Sequence, residues 1–251
     1  MIILSLLAFM AAFTVIVLVH EFGHFLAARK FGVKVYEFSL GFPFSPRVIT
    51  LFHHKETAFT IRLLPLGGFV SFSQEGGEDN TDLSSTPYRK RALILFAGSL
   101  FNMLFAFFIF IPVLIIGKHL DPVNALLVSA QTVWQILSGM IQFFLNAITG
   151  HGTTEGLSGP VGIAVMAGQA ASKGILNLCY LTGILSMSIG IMNLLPLPAL
   201  DGGHLAMLIL ESIRRKPLNP RVYQRVTVVG LALFLVFTVA VTYKDIVKLI
   251  A

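Results

Sequence analysis

Within LVHEFGHFLAARK, residues 18–30, His20, Glu21 and His24 spell H-E-x-x-H. Helix positions four apart lie on one face about 6 Å from each other, so both imidazoles can address a single metal ion. Glu21 then stands beside that ion as general base for a bound water, and the chemistry of the trio is metal-assisted hydrolysis. A pattern with three fixed positions also arises by chance. Its setting argues against chance here, because three ionisable side chains within one turn at the end of an apolar run are costly unless they act. The lone cysteine, Cys179, excludes thiolate-rich metal sites and intramolecular disulfides. Any further ligand must therefore be a histidine or a carboxylate.

A catalytic zinc site of this kind takes a third protein ligand and leaves one position for water. Asp201, in NLLPLPALDGGH at residues 193–204, is the candidate. Pro196 and Pro198 break the preceding helix and free backbone groups that a substrate can use, although an ordinary helix terminus has the same composition. Asn193 is able to hold a peptide backbone or an oxyanion, or simply to bond a neighbouring helix. Gly202 and Gly203 let the chain turn while Asp201 stays aimed, and His204 reads either as a supporting residue or as an interfacial histidine.

These residues need elements to carry them. The 251 residues are 55% hydrophobic and 12% charged, with 22 phenylalanines, more apolar side chain than one soluble core accommodates, so lipid is the expected solvent. Four spans are expected, at about 2–28, 92–117, 174–195 and 226–243. The first has no basic residue before it and is not expected to be removed as a signal peptide. Nine basic residues fall between spans one and two and five between spans three and four, while Lys118 and Lys173 alone separate spans two and three. Positive charge stays inside, so both basic connections are expected in the cytoplasm and both termini outside. The 18 Lys and Arg residues form no aromatic-interleaved face, and no nucleic-acid partner is expected.

By parity, spans one and three run in the same direction. His24 and Asp201 then reach the same cytoplasmic end of the membrane, as a shared ion requires. Residues 124–148 test that count. Gln131, Gln135, Ser138, Gln142, Asn146 and Thr149 draw one polar stripe at helical spacing, which predicts an interfacial amphipathic helix; were it a fifth span, the 214–225 connection would lie outside against the charge rule. Residues 47–73 alternate β-branched and aromatic positions around the polar HHKE, which predicts a β-hairpin with a third short strand after Gly67 and Gly68. Such strands need protein or a wet cavity to cover their edges. The acidic, glycine-rich residues 74–87 read as a loop.

Taken together these motifs resemble the site-2 protease family of intramembrane zinc metalloproteases, in its bacterial branch related to the regulator-of-sigma-E protease. HEFGH is similar to the family's zinc-binding segment, and NLLPLPALDGG to the motif that supplies its third ligand. LPLGGFVSF resembles its membrane-associated β-hairpin, AGSLFN (97–102) its second-helix motif, with Ser99 where proline is common, and LSGPVGIA (157–164) the segment before its third helix. Many bacterial relatives carry PDZ domains between the second and third spans. Here only KHLDPVN joins that span to the interfacial helix, so one domain over 1–251 without a PDZ domain is expected.

The resemblance implies a zinc-dependent endopeptidase of the bacterial inner membrane that cuts transmembrane segments of other proteins, anti-sigma factors or signal-peptide remnants among them. Zinc would be held by His20, His24 and Asp201, with Glu21 as catalytic base. Asn193, Pro196, Pro198, Gly67, Gly68 and Phe69 would hold the unwound substrate by strand addition and backbone hydrogen bonds. Two rival readings are a zinc-containing scaffold or pseudoprotease, which has no need of Glu21, and a zinc transporter, which needs ligands along spans two and four.

Overall fold

The computed structural model describes residues 2–43, 45–64, 67–72, 83, 86–151, 158–216 and 218–250. The acidic residues 74–82, together with Pro65, Leu66 and Leu157 of the quoted motifs, lie outside that set. Seven long helices and one small sheet follow in order: α1 (Ile2–Lys30), β1 (Glu37–Leu40), β2 (Arg47–His54), β3 (Thr57–Arg62), β4 (Gly68–Ser71), α2 (Tyr88–Lys118), α3 (Pro122–Ile148), α4 (Pro160–Ser172), α5 (Ile175–Asn193), α6 (Asp201–Arg214) and α7 (Pro220–Ile250).

Among the described residues, α1, α2, α5 and α7 are long and apolar enough to cross a membrane. They correspond to the four expected spans with different ends. α1 runs on to Lys30, α2 starts at Tyr88, and α7 occupies 220–250 rather than 226–243. Charge limits what lipid covers but does not interrupt a helix, and long Lys and Arg side chains carry their charge back to the interface. α5 instead stops at Asn193, short of 195, so Pro196 and Pro198 follow the helix rather than break it. α1 ends where Gly32 takes φ +77° and Val33 N–H bonds back to Ala28 O at 2.9 Å, a Schellman closure.

The strand region differs from the expected hairpin plus strand. β2 and β3 do pair antiparallel around Lys55 and Glu56, but the sheet has four strands in the order β2-β3-β1-β4. β1 is parallel to β3, with Phe38 opposite Phe59, and antiparallel to β4, with Phe38 opposite Val70. The four residues of EFSL are too few to show alternation. Phe25, Ala28, Val33, Val35, Phe38 and Ile94 form one buried cluster that fastens β1 to the α1–α2 pair. The buried Glu37 carboxylate accepts from Thr60 and Arg62 and pairs with Arg47. Burial raises the pKa of Glu37, yet the hydrogen bonds from Arg62 and Thr60 and the charges of Arg62 and Arg47 outweigh it, leaving the carboxyl below its ordinary value.

Two helices were not expected. α4 starts with Pro160 at its first position, and α6 starts on Asp201 itself, where Gly202 and Gly203 read as a turn. In α3, Asp121 caps the amino end by accepting from Val123 and Asn124 N–H. Of its predicted stripe, Gln131, Gln135, Gln142, Asn146 and Thr149 are exposed and Ser138 is half-buried, while Ala125 is buried against α2 and α5 and the buried Ser129 hydroxyl donates to Ala125 O.

Lipid is as apolar as leucine, so contact between the spanning helices depends on close approach and dispersion rather than on escape from water. Small residues provide it. A Cβ on Gly23 would stand 2.5 Å from Ala97 O of α2, and one on Gly183 of α5 would stand 2.5 Å from the Phe110 ring. α1, α2 and α5 accordingly form the packed centre, around Ile16, Ala106, Phe110 and Met187.

Candidate metal centre

His20 and His24 lie in the last third of α1, on the face turned to α2, and both are buried. Gly98 of α2 makes room for them. A Cβ there would sit 2.3 Å from His24 Nε2 and 2.8 Å from His20 Nε2, closer than any side chain tolerates. Asp201 arrives from the first turn of α6, where the helix dipole favours a carboxylate. The loop at 194–200 that delivers it includes Ala199 at φ +74°.

His20 Nε2 and His24 Nε2 are 3.2 Å apart, and Asp201 Oδ2 lies 2.9 Å from the first and 3.3 Å from the second. Zinc–ligand bonds of about 2.0–2.1 Å in a tetrahedron put ligand atoms roughly 3.3 Å from one another, so this triangle has the size of one tetrahedral face. The donor set agrees. His24 Nδ1 donates to Ile94 O at 2.8 Å, which in the neutral ring leaves Nε2 as a lone pair aimed at Asp201. Lone pairs converging on one point suit a metal cation among them. Among the described residues, His20, His24 and Asp201 form a group able to hold it.

Asn102, fully buried on α2, adds a residue that the sequence offered only as part of AGSLFN. Its side-chain amide lies 3.4 Å from His20 Nδ1 through Nδ2, while Oδ1 has no partner among the described residues. Rotating the amide by half a turn brings Oδ1 to the Nδ1–H of His20 and directs the Nε2 lone pair at the metal position. Ser186 Oγ of α5 donates to the backbone O of Asn102 at 2.9 Å, tying this support to the third helix of the packed centre.

A cavity of about 300 Å³ opens onto the group, lined by His20, Glu21, His24, Phe69, Val70, Phe72, Ile94, Leu95, Asp201 and His204. Glu21 is thus in the same cavity as the metal-ligating atoms. β4 is an edge of the sheet, and Gly68 lets it lie against α1, where a Cβ would stand 2.8 Å from Val17 Cγ1 and 3.0 Å from Glu21 Cγ. The Arg62 guanidinium, held by Glu37, covers the Phe69 ring at 4.9 Å. Asn193 Nδ2 is 3.5 Å from His20 Nε2, so it stands at the metal group itself. Gly67 donates no side chain to the cavity; its carbonyl accepts from Gly41 N–H at 2.9 Å. Pro196 falls in the loop, and Pro198 meets α7 at Gly230. His204 shares a helical face with Asp201, and burial pushes its imidazole below the ordinary value despite the opposing field of Asp201.

Residues 8–237 match the family model of peptidase family M50, the site-2 protease family. The chain belongs to that family. It is 25% identical to the zinc metalloprotease RasP of Shouchella clausii over 98% of this chain and 99% of that protein. A candidate zinc metalloprotease of Campylobacter jejuni is likewise 25% identical, over 98% of this chain and 94% of its own length. A shorter segment, 41% of this chain, is 44% identical to RasP of Bacillus licheniformis. The Shouchella alignment spans 417 positions against 251 residues here, so the relative has at least 166 positions with no counterpart in this M50 chain. Family and structure together describe a multi-pass membrane protein of a zinc metalloprotease family, with His20, His24 and Asp201 as the residues that fit zinc.

Proposed function

We propose that this M50 chain is an intramembrane endopeptidase that hydrolyses peptide bonds within transmembrane segments of other membrane proteins. The observation that carries the reading is the single cavity holding His20, His24, Asp201 and Glu21 among apolar spanning helices, with the edge strand β4 beside the glutamate. A scaffold or pseudoprotease would need the ligands but not the base.

His20, His24 and Asp201 would hold the zinc, which would supply Lewis acidity toward a peptide carbonyl and a water molecule. The chain's own groups do the rest. Glu21 accepts the proton of the attacking water and delivers it to the departing amine. A helical substrate hides its peptide bonds, so it must be extended first; β4, with Gly68 and Phe69, takes it as an added strand, and Asn193 holds its backbone at the metal group. Gly67, Pro196 and Pro198 shape the approach on either side. The termini lie outside and the site lies near the cytoplasmic face of a bacterial inner membrane, because the basic connections flank the ends of the helices that carry it. Residues 119–121 alone join α2 to α3, with no PDZ domain between them, α3 lies in the interface, and the substrates include anti-sigma factors or signal-peptide remnants.

The test is cleavage of a labelled transmembrane peptide by the purified chain in lipid bilayers. Cleavage that is lost in Glu21→Gln, with zinc retained, supports the reading. Cleavage unchanged in that variant overturns the base assignment, and no cleavage by the zinc-loaded wild type overturns the reading itself.

A further inference from the structure

The metal group and Glu21 leave one polar residue of the cavity wall without a task. His204 lies one turn after Asp201 on α6 and lines the same cavity, whose other walls include Phe69, Val70, Phe72, Ile94 and Leu95. Its partner comes from another element: the Tyr223 hydroxyl, on α7, is hydrogen-bonded to His204 Nδ1, and the two rings lie against each other with centroids 5.5 Å apart. The hydrogen of a half-buried tyrosine hydroxyl needs an acceptor, and His204 Nδ1 is the one it meets. A neutral imidazole carries one ring hydrogen. With Nδ1 accepting from Tyr223, that hydrogen resides on Nε2, the remaining polar atom of a residue in the cavity wall.

We propose that His204 is a further catalytic residue, its Nε2–H donating to the carbonyl oxygen of the scissile peptide, and that Tyr223 is the positioning residue that fixes it as a donor. The inference rests on the proteolytic reading above. When water adds to the peptide carbon, negative charge develops on that oxygen, and a donor already in place stabilises it without reorganisation. Pairing with Tyr223 also makes the donor depend on α7: drawing the amino end of α7 away from α6 releases Nδ1 and lets the ring hydrogen move there. A histidine kept only for packing would need neither a fixed tautomer nor a place on the cavity wall.

The experiment uses the full zinc-loaded chain in bilayers with a transmembrane peptide, comparing wild type, His204→Ala, His204→Gln, Tyr223→Phe and Glu21→Gln. Removing one such donor is expected to lower kcat about 100-fold, with KM changed less than about threefold and zinc still bound. His204→Gln, which retains an N–H donor, should recover at least tenfold of that loss, and Tyr223→Phe should lower kcat about tenfold. Histidine ¹⁵N chemical shifts of the wild type should place the His204 hydrogen on Nε2, and Tyr223→Phe should shift it toward Nδ1. Wild-type kcat in His204→Ala beside an inactive Glu21→Gln overturns the donor role and leaves the proteolytic reading standing. A hydrogen found on Nδ1 overturns the tautomer and with it the proposal. If His204→Ala loses zinc, Tyr223→Phe decides, since it keeps the imidazole: unchanged kcat there overturns the proposal. A zinc-loaded wild type that cleaves no transmembrane peptide removes the reading on which both roles rest.

Discussion

The packed centre of α1, α2 and α5 and the peripheral helix α7 have similar apolar compositions and opposite surroundings. In α5, 39% of the membrane-length window is buried inside the protein; in α7 the figure is 6%. The centre is joined through glycines and small polar residues, such as Gly23 on Ala97 O and Ser186 on Asn102 O. Among the described residues, the contacts of α7 with the rest include Tyr223 on His204, Gly230 on Pro198, and the buried Asp245 carboxylate, which accepts from Gly162 N–H at the start of α4. Hydropathy alone would treat these helices alike. The difference teaches that the candidate metal group sits where helices approach most closely, while α7 turns most of its length away from the protein.

The largest expected effect falls inside the centre. Glu21→Gln should lower kcat by roughly 10²–10⁴-fold while zinc content, measured by metal analysis, stays at the wild-type level. Asp201→Asn should instead lose zinc first; retention of wild-type zinc in that variant would separate the aspartate from the metal and break the assigned ligand set.

A matched pair of substitutions sharpens the contrast between the regions. Gly98→Ala forces a methyl into the two imidazoles and should lower the melting temperature by the equivalent of about 1–3 kcal/mol of overpacking, with weakened zinc binding. Gly230→Ala meets a comparable clash, 2.1 Å from Pro198 Cβ, but α7 can yield into lipid, so its cost should stay below about 1 kcal/mol. Equal losses in thermal unfolding would mean that α7 is held as firmly as the centre. Asp245→Ala leaves Gly162 N–H without its acceptor and should lower the thermal stability by about 0.5–2 kcal/mol.

The smallest effect concerns the sheet. Because the folded pKa of Glu37 lies below the ordinary 4.5, its contribution is fully present above that pH and is lost as pH falls through the lowered value. The difference in melting temperature between wild type and Glu37→Gln should therefore be constant from pH 7 to about 5 and shrink under stronger acid. A gap that widens on acidification would reverse the sign of the Glu37 shift.

Much of the site was legible in residue spacing, because a helix of known pitch converts i and i+4 into one face; hence His20 and His24. Parity of the apolar spans extended this to Asp201, 177 positions after His24 in the chain. The sheet was less legible. EFSL is too short to carry a period, and its place between β3 and β4 comes from long-range pairing. α6 was hidden because two glycines at a helix start look like a turn, and nothing local distinguishes them.

Sequence by itself determined the ligand types, the apolar spans and the distribution of positive charge, since each follows from composition or from a period of a few residues. Tertiary structure alone decided that Gly98 clears space for the imidazoles, that Asn102 supports His20, that β4 borders Glu21 and that Tyr223 meets His204. Those are contacts between elements far apart in the chain, and their distances are set by how helices and strands pack together, which no local pattern of residues encodes.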